Sequence, residues 1–145
     1  MATSLGGYAA EALAILEREA PQQYATIAEL FGAYPARCEF SGESFEIHGN
    51  AGRAEVRRER SERHSVTLAS SGEAIVRLLD GTAMLERLLA TEEVWIAGEG
   101  EALMALSAIS QAAISGGLRS LAMHELFERF RASVAENHHT SREVN

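Results

Sequence analysis

Four side chains able to move protons or hold a metal fall within one short span: Cys38, Glu46, His48 and His64. If their segments are neighbouring strands, His48 and His64 approach each other, and Glu46 or Cys38 completes an acid/base group or a metal set. In an enzyme, Glu46, His48, His64 or a tyrosine would be the acid and base, and an apolar pocket would tune a carboxyl or imidazole toward neutral pH by desolvation. A metal needs three or four ligands converging at about 2 Å, which this spacing does not enforce, so no metal is expected. A histidine beside a turn more often meets solvent, and that is the reading these residues favour.

Other chemistry is excluded more firmly. All 13 basic residues are arginine, which removes Schiff-base and phosphate-gripping lysine mechanisms. Gly98-Glu99-Gly100 starts like a dinucleotide loop, but Leu103 holds the third glycine position and the neighbouring acids would repel phosphate. The sequence lacks a G-x-S-x-G elbow, a Walker loop and an H-E-x-x-H pair, so no cofactor is implied. A net charge of -8 and a pI near 5.1 argue against nucleic acid as partner. The lone Cys38 allows no internal disulfide and suits a reducing compartment. Met1 to Ala14 lacks the basic start and unbroken apolar run of a secretory signal, so a cytoplasmic location is expected.

The elements that would position these residues follow from periodicity. At 145 residues, a single domain over 1–136 is expected, with 137–145 as a flexible tail. Leu5, Ala9, Ala12, Leu13 and Leu16 mark a first amphipathic helix; Pro21 opens a second, with Tyr24, Ile27, Ala28 and Phe31 inward. Between Tyr34 and Ala69 the period drops to two. Strands are expected around Arg37 to Phe40, through Phe45 and Ile47, through Ala54 and Val56 after a Gly49-Asn50-Ala51-Gly52 turn, and around Ser65 to Ala69, in an antiparallel meander. The arginines 53, 57, 58, 60 and 63, interleaved with glutamates, read as a solvated strand edge.

Ser70, three residues before Glu73, predicts a capping box for a helix buried through Ile75, Val76, Leu78 and Leu79 and ended by Gly81. A short helix with Leu85, Leu88 and Leu89 inward precedes a fifth strand at Val94 to Ile96. Ala102 to Leu118 carries no charge over 17 residues; it is too short to span a bilayer, so a buried core helix and no stable membrane insertion are expected. The last helix, from Leu118, aligns Met123, Leu126, Phe127, Phe130 and Val134, with Glu125 and Arg129 paired on its far side.

Leu78-Leu79-Asp80-Gly81, a helix, and then Glu93-Val94-Trp95-Ile96-Ala97-Gly98-Glu99 resembles the central pattern of the sterol carrier protein two family. That family ends a helix in "LLxG" and places the glycine of a "GKLKIxGD" strand seventeen positions later, the separation of Gly81 and Gly98. The family's earlier glycine falls on Glu92, which predicts that this turn does not need glycine's conformation. The resemblance implies an α+β fold: a five-stranded, mainly antiparallel sheet with helices on one face, enclosing an apolar cavity.

It also implies binding of lipids, fatty acyl chains or sterols without covalent chemistry, lined by Phe45, Ile47 and Val56 on strands and by Leu79, Leu103, Met104, Leu106, Ile109, Met123, Phe127 and Phe130 on helices. A small cyclase or isomerase working in that cavity is the first alternative. The second is an accessory domain, with a closed interior, that pairs with itself or with a partner enzyme.

Overall fold

The computed structural model describes residues 4–40, 42–59, 61, 64–80, 82 and 84–144, with the side chains of all of these but 79, 85, 86 and 137–144. Two helices, α1 (Leu5–Glu19) and α2 (Pro21–Ala33), precede strands β1 (Ala36–Phe40), β2 (Glu43–Asn50), β3 (Arg53–Arg57) and β4 (Val66–Ser70). Then come α3 (Gly72–Asp80), α4 (Leu85–Ala90), β5 (Val94–Gly98), α5 (Gly100–Gly117) and α6 (Leu121–Val144). The expected α+β class is present. Gly81, Arg60 and Arg63 lie outside the described residues, as do the side chains of His138 and His139.

The sheet order is β3-β2-β1-β4-β5, and every pair is antiparallel except β1 with β4. The meander expectation is therefore corrected. β4 does not follow β3 but crosses to the far side of β1, with Ala36 opposite Val66 and Cys38 opposite Leu68. Alternation along a strand reports which face is buried and says nothing about which neighbour it takes.

Register sorts the side chains onto two faces. Cys38, Phe45, Ile47, Val56, Leu68 and Ile96 fall on one face, and Arg37, Glu46, His48, Thr67, Ala69 and Trp95 on the other. The helices cover the first. α1 is fixed at its start, where Ser4 Oγ accepts from Gly7 N and the Glu43 carboxylate accepts from Leu5 N at 2.7 Å and Gly6 N at 3.2 Å. Those acceptors satisfy amide groups that a helix start otherwise leaves free. α2 lies on β2 through two glycines: a Cβ on Gly49 would sit 2.0 Å from Ala28 O and 2.4 Å from Gly32 N. Gly49 thus belongs to β2. The reversal is made by Ala51 (φ 54°) and Gly52 (φ 80°), as expected of a two-residue hairpin turn.

Several local expectations are sharpened. The cap of α3 is Ser71, whose Oγ accepts from Ala74 N at 3.1 Å, while Ser70 ends β4. Among the described side chains of α3 and α4, Ala74 and Leu88 are buried and pack with Val94 of β5, while Leu78 and Leu89 are exposed. Glu92 does take the left-handed conformation, at φ 62°. It follows the last turn of α4, where Glu92 N donates to Leu89 O and Glu93 N to Leu88 O, and that double bond pattern requires a positive φ. Arg129 reaches Glu11 on α1 at 2.8 Å instead of pairing along its own helix, since α6 packs against α1. The helix continues past Glu136 to Val144.

Candidate functional site

The helix-covered face holds two apolar clusters. The larger joins Leu16, Tyr24, Ile27 and Phe31 of the first two helices to Ala36, Val66, Ala102 and Ile109. The smaller contains Ala74, Leu88 and Val94. Ile96 packs against both and is itself only half-buried. Beside it on β4, Leu68 is half-buried although its strand is flanked on both sides and its neighbour Cys38 is 3% exposed. An inner strand beneath helices ordinarily buries such a residue completely, as interiors are close-packed. Leu106, Met123 and Phe127 are likewise half-buried.

The sequence-predicted lining residues divide. Phe45 is buried against the Phe40 ring, with centroids 5.8 Å apart, and Ile47 and Val56 are half-buried beside it on the covered face. Ile109 lies in the larger cluster, where Leu106 and Met123 pack on it. Phe130 is buried edge-on to Tyr8, and Phe127 lies 5.0 Å below the Arg131 guanidinium. Leu103 and Met104 are exposed, Met104 by 75%. The side chain of Leu79 lies outside the described residues. Leu68 and Ile96 were not foreseen as lining; their alternation with Thr67, Ala69, Trp95 and Ala97 was the available signal.

The candidate acid/base residues do converge, on the opposite face. Glu46 is 0% exposed although it points away from the helices. His48 Nε2 donates to its Oε1 at 2.8 Å; Arg37 and the backbone N–H of Ser61 donate to Oε2 at 3.2 Å and 3.1 Å. His64 Nδ1 stands 4.0 Å from Oε2. Part of the cover is Ser61 of the β3–β4 connection, whose backbone N–H meets the carboxylate.

Burial pushes the Glu46 carboxyl up, but hydrogen bonds from His48, Ser61 and Arg37 outweigh it and hold the group below the usual range. Chemically this is a saturated carboxylate. Cys38 is not part of the group: it lies on the helix-covered face, where burial pushes its thiol up to about 12. A thiol so shifted is a poor nucleophile and a poor metal ligand. Among the described residues no group of three or more His, Cys, Asp or Glu could hold a metal ion.

The sheet order and helix placement define a fold like that of the sterol carrier protein two family. The solved structures it is similar to include a ubiquinone synthesis protein titled UbiJ-SCP2, at 18% identity and TM-score 0.52, covering 69% of this chain and 82% of that one. Another is the sterol carrier protein domain 2 of Helicoverpa armigera, at 20% identity and TM-score 0.52, covering 68% and 79%. No family description matches the sequence, and no curated protein does. Among the described residues no helix is long and apolar enough to cross a membrane.

Proposed function

We propose that this protein binds a hydrophobic small molecule, of lipid, fatty acyl or sterol-like type, in an apolar tunnel between β4–β5 and the helices, without covalent chemistry. The observation that carries this reading is the half-burial of Leu68 and Ile96 where the core divides into two clusters. Apolar surface left partly open beneath helices is stabilised when a ligand covers it, by about 25 cal/mol for each Å² removed from water. Leu106, Met123 and Phe127 complete the lining from the helices, and the soft thioether of Met123 adapts to ligands of different shape. Ile109 lies in the core cluster on which Leu106 and Met123 pack, whereas Phe45, Ile47 and Val56 belong to the other half of the sheet, Phe130 packs on Tyr8, and Leu103 and Met104 are exposed.

The names of the similar structures, one for sterol carriage and one for ubiquinone synthesis, agree with a hydrophobic ligand. The position of the polar residues favours carriage over conversion. Glu46, His48 and His64 lie across the sheet from the apolar layer, away from a ligand held among the helices. A cytoplasmic carrier fits the lone, buried Cys38.

Thermal unfolding in the presence of long-chain fatty acids and sterols tests this proposal. A ligand at a hundred times its dissociation constant stabilises the fold by about 2.7 kcal/mol, which raises the melting temperature by several degrees. An unchanged melting temperature across the panel would overturn it.

A further inference from the structure

Helix α5, uncharged after Glu101, is not buried on all sides. Ala102, Ala105, Ile109 and Gly117 face α2 and the sheet, while Met104, Ser107, Gln111 and Ile114 face outward, followed by Leu118 at its C-cap and Leu121. The large ones are widely exposed: Met104 75%, Ile114 56%, Leu118 66% and Leu121 72%. Met104, Ser107, Gln111, Ile114 and Leu118 follow one another at three and four residues, the spacing of the a and d seam of a coiled coil, and no charge interrupts them from Ala102 to Leu118; Leu121 lies beyond, at the start of α6. A charge-free strip that exposes Met104, Ile114 and Leu118 on one helix face is a candidate contact with another molecule.

We propose that this seam is the interface of a homodimer in which α5 pairs with α5 of a second copy, antiparallel, about a two-fold axis at Gln111. Three observations point to a second copy and not to lipid or an unrelated helix. The seam is self-complementary: Met104 and Leu118 each stand seven residues from Gln111, so reversal about Gln111 lays Met104 on the partner's Leu118 and Ser107 beside the partner's Ile114. Gln111, a polar residue at the centre, would leave an amide unmet against hydrocarbon, but against its own copy each amide donates to and accepts from the other.

The ends are complementary as well. Glu99 and Glu101 flank the N-terminal end of the helix, and Arg119, which has no ion-pair partner among the described residues, flanks the other. Reversal brings Arg119 of one copy to the acidic end of the next. Two chains of charge -8 repel, and a charge-free strip bounded by opposite charges is where they can meet. An anionic or zwitterionic bilayer finds no basic rim beside this seam, which interfacial helices ordinarily supply.

Sedimentation velocity on the full chain, with cysteine cross-linking, tests this. The wild type is expected to dimerise, and Met104→Glu or Leu118→Glu to weaken the dimer at least about tenfold, with circular dichroism and melting of the monomer unchanged because both side chains are exposed. Gln111→Cys is expected to give a disulfide-linked dimer under mild oxidation, since only a two-fold axis at this position brings the residue onto itself. Gln22→Cys, at an exposed position of α2, should give no disulfide-linked dimer, and Cys38 is too buried to compete. A wild type that stays monomeric at all concentrations would overturn the proposal. So would a dimer untouched by Met104→Glu, or flotation with phosphatidylcholine vesicles that Met104→Glu abolishes.

Discussion

The two halves of the sheet are held in different ways. β2 is held from both faces: α2 lies so close on one that Gly49 admits no side chain, and on the other Ser61 and His64 stand against the buried Glu46 carboxylate. β4 and β5 are covered thinly on the helix face, where Leu68 and Ile96 stay half-buried, and their outer face is open, with Trp95 54% exposed. One half is closely packed and the other less so. The proposed ligand binding draws on that difference: the first half would hold the shape of the domain while the second admits the ligand.

The difference is broken most severely at the glycine contact. Gly49→Ala would drive a methyl into the backbone of α2 and is expected to destabilise by about 3 kcal/mol or more, read as a fall in the urea midpoint, because helix and strand must separate to admit it. Glu46→Ala should cost about 3 kcal/mol at neutral pH, since it leaves Arg37 and His48 without their shared acceptor.

The Glu46 contribution also has a pH signature. Its carboxyl is held below its ordinary value in the fold, so the stabilisation is fully present above the unfolded carboxyl's pKa and is lost as pH falls through the lower, folded one. Urea midpoints measured downward from pH 7 should converge for wild type and Glu46→Ala below about pH 4. A constant gap would break the assignment.

In the thin half the expected effects are smaller. Leu68→Ala should cost no more than about 1.5 kcal/mol, at or below the lower limit for a closely packed leucine, as part of its surface already lacks partners. A cost of 4 kcal/mol by the same measurement would mean that β4 is as tightly packed as β2, on the scale of a fully enclosed leucine. Glu92→Gly should stabilise by up to about 1 kcal/mol, seen as a higher melting temperature, by relieving a left-handed glutamate at the end of α4.

Much of this was legible in the sequence where a local rule decides. The helical stripes of α1, α2 and α6, the alternation of Phe45 and Ile47 with Glu46 and His48, and the spacing from Leu78 to Gly98 pointed to the α+β class and to the family whose fold it shares. What was not legible depends on neighbours far apart in the chain. Nothing in the sequence after Arg57 says on which side of β1 the next strand will pair, so neither the parallel β1–β4 pair nor the enclosure of Glu46 could be read from alternation.

Glu46, His48 and His64 do lie together, but sequence did not tell which face they occupy, and Cys38 falls on the other. For α5 the missing charges suggested burial. The structure shows that absence of charge marks two faces, one packed on α2 and one open.

The most direct test of the central claim is a methyl NMR titration of the purified protein with a long-chain fatty acid. The expected result is that the methyls of Leu68, Ile96 and Met123 shift and saturate together, while those of Leu16 and Ile27 in the tight half stay in place. No shift, or shifts confined to exposed methyls such as Met104 and Ile114, would contradict it.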